Sequence, residues 1–413
     1  MKKCILLFML CLGPVLVSRA QAVCYDDHFT AERLRIDLVF TGNAHMQDVF
    51  LLSMHSETPW AGSKTQLIAP FTYGEYQYKV FSQEGELLFS KGFNSLFMEW
   101  RTTREALERD MAFNTSVWIP YPKDTVLLEI YERIQREGTY RPLKRFRIDP
   151  DDCLISKEKP AFSPEVFQKN GPVENKVDLL FVAEGYRLEE LEKFRKDAAR
   201  FTEYLFEHEP FRSRRDDFNV WMLPLVSEDS GPDIPRIGLW NQTVLGSAFH
   251  TFYIERYLTA PDYRLLANAV SGSPFDAIYV IVNTKKYGGG GIYNYYGLSM
   301  SDHQTCKEVF VHEFGHSFAG LADEYYDSEV AYIDMYPLDV EPWEPNITTQ
   351  VDFGSKWQDM MDAEGVGLFE GAAYMTKGMY RPAKDCRMHS NRAPGFCPVC
   401  QRAINRVIDY YTK

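Results

Sequence analysis

The chain lacks an excess of positive charge and, beyond its first 22 residues, any long apolar run. Its 413 residues include 45 lysines and arginines against 58 aspartates and glutamates, which gives a formal net charge of −13. A negatively charged surface repels nucleic acid and anionic membranes, so neither is expected as a partner. No later segment offers the roughly 20 apolar residues of a membrane-spanning helix, and we therefore expect no transmembrane segment.

The first 22 residues have the pattern of a secretory signal peptide. Lys2 and Lys3 form a basic start, residues 5–17 are apolar, and residues 20–22 read Ala-Gln-Ala, which is typical of a cleavage site. The apolar run is too short to serve as a membrane anchor, since a spanning helix needs about 20 residues. We expect cleavage near Ala22 and export of the mature protein to the periplasm, the cell surface or the medium.

Cysteine is scarce, with eight residues in the chain. Cys4 and Cys11 lie in the predicted signal peptide, and six cysteines remain: Cys24, Cys153, Cys306, Cys386, Cys397 and Cys400. An even number in an exported protein favours disulfide bonds, and one between Cys24 and Cys153 would close the N-terminal region. The alternative is a four-cysteine zinc site from the other four, but these contain a single CxxC pair. We therefore expect disulfides.

The pattern of residues 23–155 differs from that of the rest. It consists of short strand-like runs separated by turn residues such as Gly74 and Gly85, which is typical of an antiparallel β-sandwich. The runs are 34–39, 76–81, 87–89, 116–119, 125–131 and 146–148, and one helical stretch lies at 103–111. Residues 156–175 are polar and contain several prolines, and we interpret them as a linker.

From Lys176 onward the pattern becomes α/β. Strands are predicted at 177–182, 218–225 and 276–282, and helices at 188–205 and 399–411. The glycine run at 288–291 lacks the GxGxxG or GK[ST] context of a phosphate-binding loop, so we interpret it as a hairpin loop. The aromatic strand after it would form the rim of a cleft, where an extended peptide can pair with its edge.

Residues 312–316 read HEFGH, which matches the HExxH signature of zinc hydrolases. On a helix, His312 and His316 share one face and can bind the same metal ion. Glu313 can then act as general base toward a water on that ion. The motif therefore predicts a catalytic Zn²⁺ site.

The surroundings of this motif favour a helix. Thr305 and Glu308 have the spacing of a capping box, which would start the helix. Gly320 would permit the left-handed turn that ends it. Helical spacing places four apolar residues on the core-facing side: Val311, Phe314, Phe318 and Leu321.

A catalytic zinc ion needs a third protein ligand. In the metzincin pattern HExxHxxGxxH, or its variant ending in aspartate, the glycine and the last ligand stand one residue earlier than Gly320 and Asp323 do here. Ala322 occupies the metzincin ligand position and cannot bind metal. Asp323 is therefore the predicted third ligand, and Glu324 and the distant Glu370 are the alternatives.

Further residues can be placed near such a site. Met388, beside Cys386, is a candidate for the methionine turn that lies under the metal in metzincins. Tyr325 or Tyr326 could stabilise an oxyanion, although packing is the simpler role for both. His389 is predicted to be a hydrogen-bonded surface residue.

These segments together resemble the bacterial IgA-peptidase family of zinc metallopeptidases. The similarity covers VDLLFVAEGY from Val177, HEFGHSFAGLADEYY from His312, GLFEGAAY from Gly367, and the C-terminal CRM and FCPVC. The resemblance implies a β-rich N-terminal domain and a secreted zinc endopeptidase. It also implies His312 and His316 as zinc ligands and Glu313 as the base.

The expected fold is α+β, with a β-sandwich over 23–155 and a zincin-like α/β metallopeptidase domain over 176–413 that holds the whole catalytic apparatus. The expected function is hydrolysis of peptide bonds in a protein or glycoprotein by a zinc-activated water, with Glu313 as general base. Two alternatives stay open: a zinc hydrolase of glycopeptide or cell-wall amides, and a glycan-binding protein with a vestigial zinc site. Glu313 argues against the last, because a binding module needs no base.

Overall fold

The computed structural model describes residues 23–327 and 336–413, so the predicted signal peptide lies outside the described residues. The N-terminal region forms two antiparallel sheets, with strand orders β2-β1-β5 and β4-β3-β6-β7. Its elements are α1 (Tyr25–His28), β1 (Phe29–Gly42), β2 (Gln47–Glu57), β3 (Tyr76–Phe81), β4 (Leu87–Phe93), α2 (Leu96–Arg101), β5 (Met111–Pro122), β6 (Val126–Ile134) and β7 (Thr139–Ile148).

Strand β1 is buried on both faces. Because side chains alternate along a strand, Leu34, Ile36 and Leu38 point into the core that the two sheets enclose. Arg33 and Arg35 point the other way and are also buried. These two guanidinium groups donate to carbonyl oxygens at the carboxyl end of a C-terminal-region helix, including those of Ser273 at 3.0 Å and Ala267 at 2.8 Å. The two regions are therefore joined through buried charged groups.

The C-terminal region is built on a six-stranded sheet of order β12-β13-β11-β9-β10-β8. Its four inner strands are parallel, and each edge strand is antiparallel to its neighbour. The elements are β8 (Glu165–Gln168), β9 (Val177–Glu184), α3 (Leu191–Phe206), β10 (Phe218–Leu223), α4 (Tyr263–Ala269), β11 (Ala277–Val282), β12 (Gly289–Ile292), β13 (Tyr296–Met300), α5 (Cys306–Ala319), the hairpin β14 (Phe369–Ala372) and β15 (Met375–Arg381), and α6 (Pro398–Thr412).

The predicted α+β fold class is confirmed, because an antiparallel β-rich region precedes an α/β region with a mixed sheet. Several local expectations are wrong. The stretch at 103–111 contains only a short 3₁₀ turn, and the nearby helix is α2. The glycine run forms edge strand β12 rather than a loop, and part of the expected linker forms edge strand β8. None of the described helices has the length and apolar character to cross a membrane.

The disulfide prediction is also wrong for the described residues. All six cysteines outside the predicted signal peptide are free thiols, and Cys24 and Cys153 are exposed. Cys386, Cys397 and Cys400 are buried close to one another, but without S–S bonds. The expected cysteine clasp of the N-terminal region is therefore absent from the described structure.

Candidate active site

Helix α5 carries the HExxH motif and lies against edge strand β12 and its neighbour β13. Glycine makes the close approach of β12 possible. A Cβ atom at Gly291 would lie 2.3 Å from the Glu313 carbonyl oxygen and 2.9 Å from the His316 Cβ, and one at Gly289 would lie 3.1 Å from the Glu313 Oε1. The glycine run thus allows a strand edge to lie directly beside the motif.

Three ligand atoms of the predicted metal site face one another. The Nε2 atoms of His312 and His316 are 3.0 Å apart, and the Asp323 Oδ1 lies 3.0 Å from the first and 3.2 Å from the second. Ligands about 2.0–2.1 Å from a tetrahedral zinc ion are separated by about 3.3 Å. These three residues, which we name the cleft cluster, therefore match the face of a zinc tetrahedron.

The hydrogen bonds of the two imidazoles leave the metal-facing nitrogens available. His312 donates its Nδ1–H to the Arg387 carbonyl at 3.0 Å, and His316 donates its Nδ1–H to the Leu321 carbonyl at 2.5 Å. A carbonyl oxygen only accepts, so each Nδ1 carries the proton and each Nε2 has a free lone pair in the neutral ring. Such carbonyl partners are the usual supports of metal-binding histidines.

The chain turns at the end of α5 to deliver Asp323. Gly320 adopts φ 63° and ψ 30°, and its N–H donates to the His316 carbonyl at 3.0 Å. Asn346 then holds Ala322 through two hydrogen bonds, at 2.8 Å to the N–H and 2.9 Å to the carbonyl. This arrangement accommodates the extra residue relative to the metzincin spacing.

Tyr374 orients the carboxylate from the other side. Its hydroxyl donates to the Asp323 Oδ2, which leaves Oδ1 directed at the two histidines. Tyr374 lies at the tip of the β14–β15 hairpin, where both Ala373 and Tyr374 have positive φ values of 51° and 63°. The tip is attached to the ligand segment because the Ala373 N–H donates to the Asp323 carbonyl at 2.9 Å.

The charges of the cluster are complementary without a metal ion. Burial alone would lower the pKa of His316, but Asp323 raises it to about 9. Burial would likewise raise the pKa of Asp323, yet His316 and His312 hold it well below the usual range. Burial raises the pKa of Glu313, and the two histidines oppose that effect. The site is therefore arranged to hold a cation next to carboxylates.

The two alternative third ligands lie elsewhere. Glu370 is exposed on β14 and pairs with Lys377 at 2.9 Å. Glu324 is fully buried and directs its carboxylate toward Cys400, away from the cleft. Glu313 is another carboxylate near the histidines, within 4.8 Å of their ring nitrogens, and the Asp323 Oδ1 lies 3.0 and 3.2 Å from the two Nε2 atoms.

Met388 is buried beneath α5, as expected of a methionine turn. A Cβ atom at Gly315 would lie 2.8 Å from the Met388 sulfur, so the thioether packs against the helix between the two histidines. Tyr325 lines the cleft with its ring stacked near that of His312, at a centroid distance of 6.2 Å. Tyr326 is exposed outside it, and His389 is half-buried beside Asp385.

The cleft in front of the cluster has about 940 Å³ of empty space, open to solvent. The N-terminal region contributes Asn94, Met98 and Glu99 to its wall, whereas the predicted ligands and the predicted base all lie within residues 176–413. The Tyr257 hydroxyl donates to Glu99, and burial raises the pKa of Glu99 to about 7.

Tyr374 and Glu99 are the site residues that the sequence analysis missed. Tyr374 belongs to the segment GLFEGAAY that contributed to the family resemblance, and that was the available signal. Glu99 lies in the short helix α2, in a region without catalytic motifs, so no local pattern indicated it.

Comparison with known proteins identifies the family of the chain. The family model described as IgA Peptidase M64 matches residues 166–365 and 361–408, and the model described as Peptidase M64 N-terminus matches residues 24–142. No curated protein matches the chain significantly. The IgA Peptidase M64 model covers more than half of the sequence, so this chain belongs to that family of metallopeptidases.

Proposed function

We propose that this protein is an exported, zinc-dependent endopeptidase whose metal ligands are His312, His316 and Asp323. The mutual approach of their three ligand atoms, at 3.0–3.2 Å, carries the proposal. Three protein ligands leave a fourth position of the tetrahedron for a reactant, which is the pattern of catalytic zinc. The family supplies the reaction class, because it is a peptidase family.

Zinc bound in the cleft cluster supplies Lewis acidity, which acidifies water and polarises a peptide carbonyl. Glu313 stands next to the ligands and is the base that takes a proton from the attacking water and returns it to the leaving amine. Its raised pKa favours the first half of this cycle, because a more basic carboxylate accepts a proton from water more readily. Tyr374 keeps the Asp323 carboxylate in place through its hydroxyl.

The edge of β12 supports cleavage within a chain. Gly290 and Gly291 line the cleft, and an extended peptide can add to an open strand edge through main-chain hydrogen bonds. Tyr257 already forms a β-bridge with Gly289, so a peptide would pair with β12 only beyond Gly289. Such pairing requires no chain terminus, and the substrate class is therefore an unfolded or extended segment of a protein or glycoprotein.

The export part of the proposal rests on the basic start, apolar stretch and Ala-Gln-Ala site of residues 1–22. N-terminal sequencing of the protein recovered outside the cytoplasm tests it, and we expect the mature chain to begin at Val23. An unprocessed chain that stays in the cytoplasm would contradict it.

Digestion of a denatured protein tests the peptidase function. We expect new internal termini by mass spectrometry, loss of cleavage on chelation, and recovery on addition of zinc. Isolated cell-wall glycopeptides serve as the comparison substrate, because their hydrolysis without any protein cleavage would favour the amide-hydrolase alternative. Absence of hydrolysis of either substrate by the zinc-loaded protein would contradict a catalytic function.

A further inference from the structure

A second group of ligand-type side chains lies behind the cleft cluster. Glu324, Cys386, Cys397 and Cys400 come from three separate segments, and their ligand atoms all lie within 4.8 Å of one another. Glu324 follows Asp323, Cys386 precedes Met388, and Cys397 and Cys400 stand at the start of α6. All four residues are buried, and we name them the sulfur cluster.

The distances in the sulfur cluster differ from those of a disulfide. The Cys386 and Cys400 sulfurs are 3.8 Å apart, whereas bonded sulfurs lie about 2.05 Å apart. Two thiolates at about 2.3 Å from a tetrahedral zinc ion are separated by about 3.8 Å. The Cys400 sulfur lies 3.2 Å from the Glu324 Oε1, near the roughly 3.5 Å expected for a sulfur and a carboxylate oxygen on one zinc ion.

Glu324 gives an independent indication that this group binds a cation. Its side chain has no solvent exposure, and its Oε2 has no hydrogen-bond partner among the described residues. The Oε1 accepts hydrogen bonds from Asn346 at 3.0 Å and from Cys400. Burying a carboxylate without a counter-charge is costly, and such groups in proteins are paired or bind metals. The unpartnered Oε2 therefore belongs to a carboxylate that lies within 4.8 Å of all three cysteine sulfurs.

The local backbone supports a metal site of this kind. Cys397 and Cys400 are three residues apart at the start of α6, so both thiols lie on one face of the first turn. The Cys397 N–H donates to the Cys386 sulfur at 3.3 Å, which stabilises a thiolate. The Glu324 N–H donates to the Met388 carbonyl at 2.8 Å, which joins the segment of Glu324 to the segment of Cys386.

We propose that Glu324, Cys386, Cys397 and Cys400 bind a second zinc ion, which has a structural role. Thiolates favour zinc among the common divalent ions, and four protein ligands leave no position for a substrate. The ion links α6, the methionine turn and the segment that carries Asp323. It therefore holds the backbone from which Asp323 reaches the cleft. Zinc binding by the sulfur cluster does not require that the protein be a peptidase.

Zinc content of the full-length protein tests the proposal. The His312→Ala/His316→Ala variant removes two ligands of the cleft cluster and should still contain one zinc ion per chain, against two in the wild type. X-ray absorption of this variant should show sulfur neighbours at about 2.3 Å. A zinc-free His312→Ala/His316→Ala protein, purified with zinc present, would overturn the proposal. Retention of both ions would instead contradict the proposed catalytic ligands, so the two failures are distinguishable.

Variants of the sulfur cluster complete the test. In the His312→Ala/His316→Ala background, Cys397→Ser/Cys400→Ser should remove the remaining zinc, and Glu324→Gln should weaken its binding at least 10-fold. Cys306→Ser is the matched control, because Cys306 is also buried but lies outside the cluster, and it should keep the ion.

Thiol titration covers the case in which the cysteine variants do not fold. The unsubstituted protein, denatured with a chelator, should release zinc and expose all six thiols outside the signal peptide. Detection of a disulfide among Cys386, Cys397 and Cys400 in the native protein would overturn the proposal.

Discussion

The cleft cluster and the sulfur cluster meet at two consecutive residues, yet they differ in the properties that decide what a metal ion does. The cleft cluster offers nitrogen and oxygen ligands that are partly exposed: the side chains of His312, His316 and Asp323 are 13%, 15% and 9% exposed. The sulfur cluster offers three thiols and a carboxylate that are all buried. Three ligands at a cleft suit catalysis, whereas four ligands in a core suit structural support.

The difference begins at the junction of Asp323 and Glu324. These two acids face opposite sites because separate partners orient them: Tyr374 holds the first, and Asn346 holds the second. A single short segment therefore connects the reactive site to its support. The comparison predicts that changes at neighbouring positions have different consequences for activity and for metal content.

The largest effect is expected for Asp323→Ala. Loss of one of three ligands should weaken zinc binding in the cleft by more than about 100-fold, because even outer partners of a metal site contribute 10–100-fold. Peptidase activity should fall to background while the second zinc ion stays bound. Metal analysis after dialysis measures this, and Glu370→Ala is the control with an exposed carboxylate. Loss of zinc in Glu370→Ala but not in Asp323→Ala would reverse the ligand assignment.

Glu313→Gln is the next largest effect. The amide keeps the shape of the side chain but cannot accept a proton, so the rate should fall at least about 100-fold. Both zinc ions should remain, because Glu313 is not among the proposed ligands of either cluster. Turnover of an internally quenched fluorescent peptide measures the loss of rate, and zinc analysis of the same sample measures the retention of both ions. Near wild-type turnover by the zinc-loaded variant would contradict the base role.

These two clusters also show how far the sequence alone leads. The HExxH helix was predictable because its ligands recur at helical spacing and Gly320 marks its end. Asp323 followed from counting residues after the motif. The sequence offered Cys306 together with Cys386, Cys397 and Cys400 as a zinc site, but export favoured disulfides. The place of Glu324 beside the last three was not predictable, because Glu324 is distant from them along the chain. Only the fold brings these segments together.

Other misses have local physical causes. The capping box failed because the Thr305 hydroxyl bonds to His303 at 2.8 Å rather than to the helix. The glycine run was interpreted as a hairpin loop, but it forms strand β12, where the absence of side chains lets α5 pack closely against the strand. The turn that presents Tyr374 has two residues with positive φ and neither is glycine or asparagine, so it lacks the usual hairpin signal.

A smaller effect is expected for Tyr374→Phe. Removing the hydroxyl frees the Asp323 carboxylate to rotate, which should weaken zinc binding in the cleft by about 10-fold and leave the sulfur cluster unchanged. Competition with a graded zinc chelator measures the affinity, and activity should recover when zinc is in excess. Tyr326→Phe is the control, because that ring lies outside the cleft. Equal effects of both variants would show that the hydroxyl of Tyr374 has no specific role.

A separate effect, on folding stability, concerns Glu99, through which the N-terminal region reaches the cleft. Burial raises its pKa from an ordinary 4.5 to about 7 in the metal-free protein. Below about pH 4.5, Glu99 is protonated in both the folded and the unfolded chain. Between about pH 4.5 and about pH 7, only the unfolded chain loses this proton. Folded stability therefore falls as pH rises through this window, by about 3 kcal/mol for this group.

Glu99→Gln removes that titration, so its free energy of unfolding relative to wild type should increase by about 3 kcal/mol from about pH 4.5 to about pH 7. Denaturant unfolding of both metal-free proteins measures the difference. Added zinc should reduce it, because a nearby cation lowers the pKa of a carboxyl group. In an Asp323→Ala background, zinc loads only the sulfur cluster and should leave the difference intact. An equal effect of zinc in both backgrounds would contradict the assignment of one ion to the cleft and the other to the core.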